Sequence, residues 1–319
     1  MFSGVFLALL AGALASKVPD VSSTLQNILK NTDGSNKYTY PTDFTRGIIP
    51  KPLHSHNDYW RDVPFYTGLS YGAVSTEADV WLINGTLHVS DTRLLLIGHE
   101  ISALTDDRTL DSLYIQPILD TLKRQNPETK FVTAPTSNGV FDTSSGQTLY
   151  LFIDLKTSGT ETWPAVLDAL KPLKDGNYLS TYDGTTFTSR AVTIIGTGNT
   201  PIWLVQAATP RYAFYDAPLA LLSTTYSNVT AFDSPIASTD FAVQFGEVRN
   251  QEFNETQLDT LRAQLKTAHG KGIKARYWDQ PGWPVGTRNA VWRILWDEGA
   301  DLINVDDIKA AAEFWENRG

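Results

Sequence analysis

From residue 51 onward, short apolar runs alternate with longer stretches in which apolar residues recur at helical spacing. The short runs fall at Leu53 and over residues 73–81, 149–154, 191–196, 213–215, 275–278 and 302–305. Their length and flanking turn residues predict buried strands. Helices are predicted over 21–29, 112–124, 162–173, 254–269 and 288–298. In the second of these, Leu113, Pro117, Leu119 and Leu122 fall near one face. In the third, Pro164 is read as standing in the first turn. In the fourth, Leu258, Leu261 and Leu265 keep helical spacing, and Gly270 and Gly272 mark the end. Strand and helix in alternation predict a parallel sheet, and repeated often enough they close an α/β (β/α)8 TIM barrel. The rival is an open doubly wound sheet, which places a glycine-rich turn after its first strand. Here that turn reads His54-Ser55-His56-Asn57-Asp58, without glycine, and Ile195-Gly196-Thr197-Gly198 lacks the dinucleotide spacing. The barrel is therefore expected. Residues 134–147 and 177–189 read as loops within it, and no internal repeat is visible.

The N-terminus differs from the rest. Residues 5–15 are an uninterrupted apolar run, too short to span a bilayer, and Ala13-Leu14-Ala15 has small residues at cleavage spacing. Residues 1–16 are expected to be a secretory signal peptide, although no Lys or Arg precedes the run. A membrane anchor or a buried first helix is the other reading. A polar leader follows over 17–47, and the barrel domain occupies 48–319. Sequons at Asn84, Asn228 and Asn254 agree with export, and the chain has no cysteine. We expect an extracellular protein.

Composition narrows the partners. The net charge of −9 and the absence of a Lys/Arg cluster argue against nucleic acid. A hydrophobic content of 42% is enough for a large core. Nine Trp and thirteen Tyr serve first to fill that core, and second to line a carbohydrate or lipid cleft.

Barrel active sites gather at the C-terminal strand ends, so titratable residues that end or interrupt apolar runs are the candidates. They are His54 and His56, Glu77 and Asp79, Asp154, and Asp216. Strand side chains alternate, so Glu77 and Asp79 share a face, as do His54 and His56. Two carboxylates on one face repel unless one is protonated or a divalent cation lies between them. Oxygen ligands suit Mg²⁺ first and Ca²⁺ second. Asp154 offers a third ligand, and Lys156 shares its face. The bland alternatives are a solvated strand face for the carboxylates and a structural imidazole for either histidine. A histidine beside a cation suggests phosphodiester chemistry, in which one imidazole takes a proton and another returns one. His88, His99 and His269 are candidates for the second; His269, at a helix end near solvent, is set aside.

The stretches HSHNDYWR, STEADVWL, LLIGHE, RTLDSLYIQPIL, LFIDLKT, FYDAPL and ARYWDQPGWP, in this order, resemble the fungal altered inheritance of mitochondria family. That family lies within the superfamily of glycerophosphodiester phosphodiesterases, phosphatidylinositol-specific phospholipases C and sphingomyelinase D enzymes. The resemblance runs over residues 48–318. It implies a (β/α)8 barrel, a divalent cation and two catalytic histidines. By resemblance, His56 and His99 are catalytic, Glu77, Asp79 and Asp154 are metal ligands, and Lys156 is a cleft lysine. His54, Asn57 and Trp278 join it as substrate-binding residues. One stretch departs from the pattern: residues 90–97 stand as an insertion before Gly98-His99, and His88 occupies a position where the family usually has an aromatic residue. Either 94–97 is the true strand and His99 is catalytic, or the insertion moves His99 away. We take His99.

The expected function is thus a secreted, metal-dependent phosphoric diester hydrolase acting on a glycerophosphodiester or phospholipid head group. It is expected to be monomeric, with peripheral membrane contact. A non-catalytic barrel that binds lipid or a partner is the alternative. A barrel glycosidase using Glu77 with Asp154 or Glu247 is a third reading, and it leaves the histidines unexplained.

Overall fold

The computed structural model describes residues 23–32, 37, 40–90 and 104–317. The expected signal peptide, residues 91–103 and therefore His99 lie outside them. The chain forms two compact units, Met1–Pro41 and Thr42–Gly319. In the first, the described part is mainly helix α1 (Ser23–Thr32), whose Leu25 and Ile28 are exposed.

The second unit begins before residue 48. Thr45 is fully buried, and its hydroxyl accepts from the backbone N–H of Asp142 at 3.0 Å. Eight parallel strands close a ring: β1 (Lys51–Ser55), β2 (Ala73–Ile83), β4 (Leu149–Leu155), β7 (Val192–Gly198), β8 (Ala213–Pro218), β9 (Ile236–Asp240), β10 (Lys274–Trp278) and β11 (Leu302–Val305). Closure is direct, because β1 pairs with both β2 and β11. This is the expected (β/α)8 barrel. The strand β3 (Thr86–Val89) folds back antiparallel on β2, and β5 (Thr181–Tyr182) pairs with β6 (Phe187–Thr188) in a small hairpin. Helices α2 (Tyr66–Ser70), α3 (Gln116–Gln125), α4 (Gly159–Ala169), α5 (Lys171–Asp175), α6 (Ile202–Ala207), α7 (Phe241–Phe245), α8 (Glu255–Gly270), α9 (Val285–Glu298) and α10 (Ile308–Glu316) fill the connections.

Local chemistry sets the boundaries. Asn254 caps α8, accepting from the backbone N–H of Gln257, while the Gln257 side chain returns to the Asn254 backbone. Gly299, at φ 104, ends α9 in the left-handed region that favours glycine. The single helix expected over 162–173 is two, parted at Leu170, and Pro164 lies inside α4 rather than in its first turn. Strand β9 escapes the apolar-run pattern. Its sequence is IASTD, and only its first two residues are apolar.

Two cores result. Outside the ring, Leu53, Ile153, Ile194 and Ile303 meet helix residues such as Ile118, Val166, Leu261 and Leu295, all nearly or fully buried. Each such side chain contributes about 1.5–3 kcal/mol. Inside the ring, the filling is largely polar. Arg276 on β10 stacks over Phe152 on β4 at 4.6 Å, and His54 on β1 meets the same ring edge-on at 4.8 Å. Contacts between non-adjacent strands must cross the barrel interior.

Candidate active site

The turn after β1 is built to hold its side chains still. Asn57 takes a left-handed backbone (φ 48, ψ 43), and residues Asp58–Trp60 make a tight helical turn. Asp58 is buried, accepting from Ser55 Oγ at 2.6 Å, Tyr114 OH at 3.2 Å and the backbone N–H of Phe65. Arg61 closes the turn onto the last strand, donating to the carbonyls of Val305 (3.1 Å), His56 (3.3 Å) and Asp306. Asp58 and Arg61 are thus fasteners of the turn.

His54 is fully buried. Burial, with the Arg276 charge adding to it, pushes its imidazole down to about 3. It is therefore neutral at working pH, with Nε2–H donating to Glu77 Oε2 at 3.3 Å and Nδ1 accepting from Ser75 Oγ at 2.7 Å. This side chain orients Glu77 from below. Its burial keeps it from the substrate contact expected of it. His56 sits one turn of chain higher. Its Nδ1 lies 2.7 Å from Asp306 Oδ1, and its Nε2 lies 3.7 Å from Glu77 Oε2. A carboxylate only accepts, so Asp306 places the proton on Nδ1 and leaves Nε2 as the basic nitrogen. The side-chain nitrogen of Asn57 is 3.3 Å from His56 Nδ1, and its backbone N–H donates to Glu77 Oε2 at 3.4 Å.

The carboxylates converge. Asp79 on β2 and Asp154 on β4 are direct register partners on neighbouring strands. With Glu77 they offer oxygens that all lie within 4.8 Å of one another. Lys156 reaches back to both aspartates, at 2.6 Å from Asp154 Oδ2 and 3.0 Å from Asp79 Oδ2. Tyr59 OH lies 2.9 Å from Asp79 Oδ2 and 2.7 Å from Asn57 Oδ1. Burial raises Asp79 well above the usual carboxylate range; Lys156 opposes this, and the Asp154 and Glu77 charges add to it. Asp154 is raised for the same first reason, again against Lys156. Burial also acts to raise Glu77, but His56, His54 and Arg276 outweigh it and hold that carboxyl well below its ordinary value.

This donor set fits a hard divalent cation. All its donors are carboxylate oxygens. Among the described residues the buried Oδ1 of Asp154 has no hydrogen-bond partner, so an acceptor of the cluster is left unsatisfied. Gly198, at φ 62, keeps that oxygen's place open, because a Cβ there would come within 1.9 Å of it.

A cleft of about 390 Å³ opens over these groups, walled by His56, Lys156, Thr197 and Trp278 and floored by Arg276. Trp278 ends β10, lines the cleft and is partly exposed. Arg276 is buried, bonded to Ser238 Oγ and Asn304 Oδ1 at 2.9 Å each, with Asp216 at 3.5 Å. Burial pushes the Asp216 carboxyl up to about 6, against the Arg276 charge.

Other candidates fall elsewhere. His88 faces the β3 hairpin and lies 3.1 Å from the Thr105 carbonyl. His269 pairs with Asp301 at 2.8 Å beside the start of β10, the opposite end of the barrel. Glu247 is largely exposed and pairs with Arg249 at 2.9 Å, which removes it from any carboxylate pair with Glu77. Sequence reasoning missed Asp306, Arg276, Ser75 and Tyr59. Asp306 directly follows the apolar run LINV, so the strand-end filter could have found it. Arg276 interrupts a run in the way Glu77 does, two residues before Trp278.

Residues 42–216 match the AIM6-like phosphodiesterase domain. The chain is 50% identical over 318 residues to the Altered inheritance of mitochondria protein 6 homolog of Arthroderma benhamiae, covering 97% of each. It is 38% identical over 276 residues to the Altered inheritance of mitochondria protein 6 of Eremothecium gossypii, covering 82% of this chain and 69% of that one. To the protein of that name from Saccharomyces cerevisiae it is 32% identical over 311 residues, covering 87% and 75%. The chain belongs to the altered inheritance of mitochondria protein 6 family. Among solved structures, a glycerophosphodiester phosphodiesterase from Parabacteroides distasonis is similar with a TM-score of 0.48 and 12% identity, covering 85% of this chain and 99% of that one. The AIM6-like match takes in His56, Glu77, Asp79, Asp154 and Lys156. Arg276, Trp278 and Asp306 lie beyond it and enter the site through the closing strands.

Proposed function

We propose that this chain is a secreted hydrolase of phosphoric diesters that works with a divalent cation, Mg²⁺ first, on a glycerophosphodiester or a phospholipid head group. The observation that carries this reading is the placing of His56 Nε2 beside Glu77 and the oxygen cluster of Asp79 and Asp154, with His56 Nδ1 held by Asp306. Glu77, Asp79 and Asp154 would hold the cation. A cation bound there offsets the charge that develops on the phosphoryl oxygens. His56 Nε2 accepts or returns the proton of the attacking or leaving oxygen. Asp306 stabilises the imidazolium that forms when it does. Lys156 and Arg276 make the cleft receptive to an anion, and Trp278 packs against the bound group. His99 is the proposed second acid–base residue. A neighbouring substrate hydroxyl as nucleophile would give a cyclic phosphate first; water would give the monoester directly.

Export is supported by the apolar N-terminal run and by the exposure of Asn84, Asn228 and Asn254. The test is hydrolysis of bis(p-nitrophenyl) phosphate and of glycerophosphodiesters by the purified chain, with Mg²⁺ or with EDTA, beside H56A and H99A. The reading expects turnover that needs the cation and is lost in both variants. Retained turnover in H99A would remove that residue from the mechanism. No turnover on any of these substrates would favour the non-catalytic barrel.

A further inference from the structure

Lys156 stands against two of the three clustered carboxylates. The chain leaves β4 at Leu155, and the Lys156 backbone N–H donates to the Val80 carbonyl at 3.0 Å, which fixes the root of the side chain beside β2. From there the ammonium turns back onto the cluster, within hydrogen-bond reach of Oδ2 of Asp154 and Oδ2 of Asp79. Both carboxylates belong to the cluster on which a divalent cation would draw. The third carboxylate, Glu77, is oriented separately by His54 and by the Asn57 backbone. Besides the Tyr59 hydroxyl on Asp79, two supports of opposite character therefore hold the cluster. One is a neutral imidazole and an amide that hold Glu77; the other is a full positive charge that holds both aspartates.

A cation sharing Asp79 and Asp154 with Lys156 meets a like charge within a few ångströms, in a site with little water to screen it. We propose that Lys156 is a built-in competitor of the divalent cation, gathering Asp79 and Asp154 in its place and setting the affinity with which the ion is held. Entry of the ion then displaces the ammonium from the carboxylates toward the cleft wall, where it is available to an anionic group of the substrate. Ion affinity is thereby kept moderate by design of the site, since the two carboxylates always have an alternative partner. This inference rests on the cation-dependent reading above.

The test measures ion binding directly, without turnover. Full-length wild type, K156M and K156R are titrated with Mn²⁺, and free Mn²⁺ is followed by electron paramagnetic resonance. K156M removes the charge and keeps most of the chain length; it is expected to bind Mn²⁺ at least about tenfold more tightly, roughly 1.4 kcal/mol. K156R keeps the charge and is expected to stay within about threefold of wild type. Without Mn²⁺, K156M should melt below wild type, and saturating Mn²⁺ should close that gap. Circular dichroism checks folding, and K156Q replaces K156M if the latter does not fold. Equal or weaker Mn²⁺ binding in the charge-removed variant overturns the proposal and makes Lys156 a positioner of the ligands. Absence of binding in wild type and variants alike overturns the cation reading itself, and this inference with it.

Discussion

His56 Nδ1 and Asp306 Oδ1 lie 2.7 Å apart across 250 residues of sequence, and the closure of β1 on β11 brings them together. The contact is as short as a charge-assisted hydrogen bond. It fixes which nitrogen of the ring remains basic. Replacing the carboxylate by an amide allows the ring to reverse its tautomer, because the amide nitrogen donates. D306N is therefore expected to lower kcat about 10²-fold with KM little changed. A change in KM alone would place Asp306 in binding instead.

Gly198 governs the space around Asp154. Its φ of 62 and the 1.9 Å approach of a Cβ to Asp154 Oδ1 make any side chain costly. G198A is expected to lose about 1–3 kcal/mol of stability and to bind Mn²⁺ at least about tenfold more weakly. Urea unfolding and ion titration read the two effects separately. Unchanged ion binding would remove Asp154 Oδ1 from the ligand set.

Asp58 carries the turn and touches no cleft group. Its carboxylate gathers Ser55, Phe65 and Tyr114 in the interior. D58A leaves the Ser55 hydroxyl and the Phe65 N–H without this acceptor, while Tyr114 OH keeps the Glu77 carbonyl, and is expected to cost about 2–4 kcal/mol. The chemistry of the fraction that remains folded should be close to that of wild type, measured well below the melting temperature.

Asp216 gives the interior a pH dependence with a definite sign. Its folded value, about 6, lies above the ordinary aspartate value of 3.8, because burial disfavours its charge. The folded state thus binds the proton more tightly. Its contribution is complete below the unfolded value and is lost as pH rises through about 6. Relative to D216N, wild type should gain up to about 3 kcal/mol as pH falls from 7.5 to 4. Urea unfolding of both across this range checks it, and parallel curves would contradict it.

Much of this architecture could be read from pattern. The runs at 73–81 and 149–154 are apolar enough to declare strands, and the period of two alone puts Glu77, Asp79 and Asp154 on interior faces. Strand β9 could not be read so, because Ser238 bonds Arg276 in a polar interior and Asp240 caps α7, and an apolar-run filter ignores both. The same polar filling hid Arg276, whose partners Ser238 and Asn304 come from neighbouring strands. His54 and His56 share a face by sequence, yet depth in the barrel separates them. One is sealed under Glu77, and the other stands at the rim. Composition carries no signal for depth.

The seam between β1 and β11 orders the events of synthesis. Glu77, Asp79 and Asp154 sit on the adjoining strands β2 and β4, so the oxygen cluster is encoded well ahead of β11. The carboxylate that holds His56 Nδ1 is encoded 250 residues after it, directly beyond β11. A nascent chain that has made β2 and β4 thus carries all three carboxylates, while the partner of His56 Nδ1 arrives only with the docking of β11.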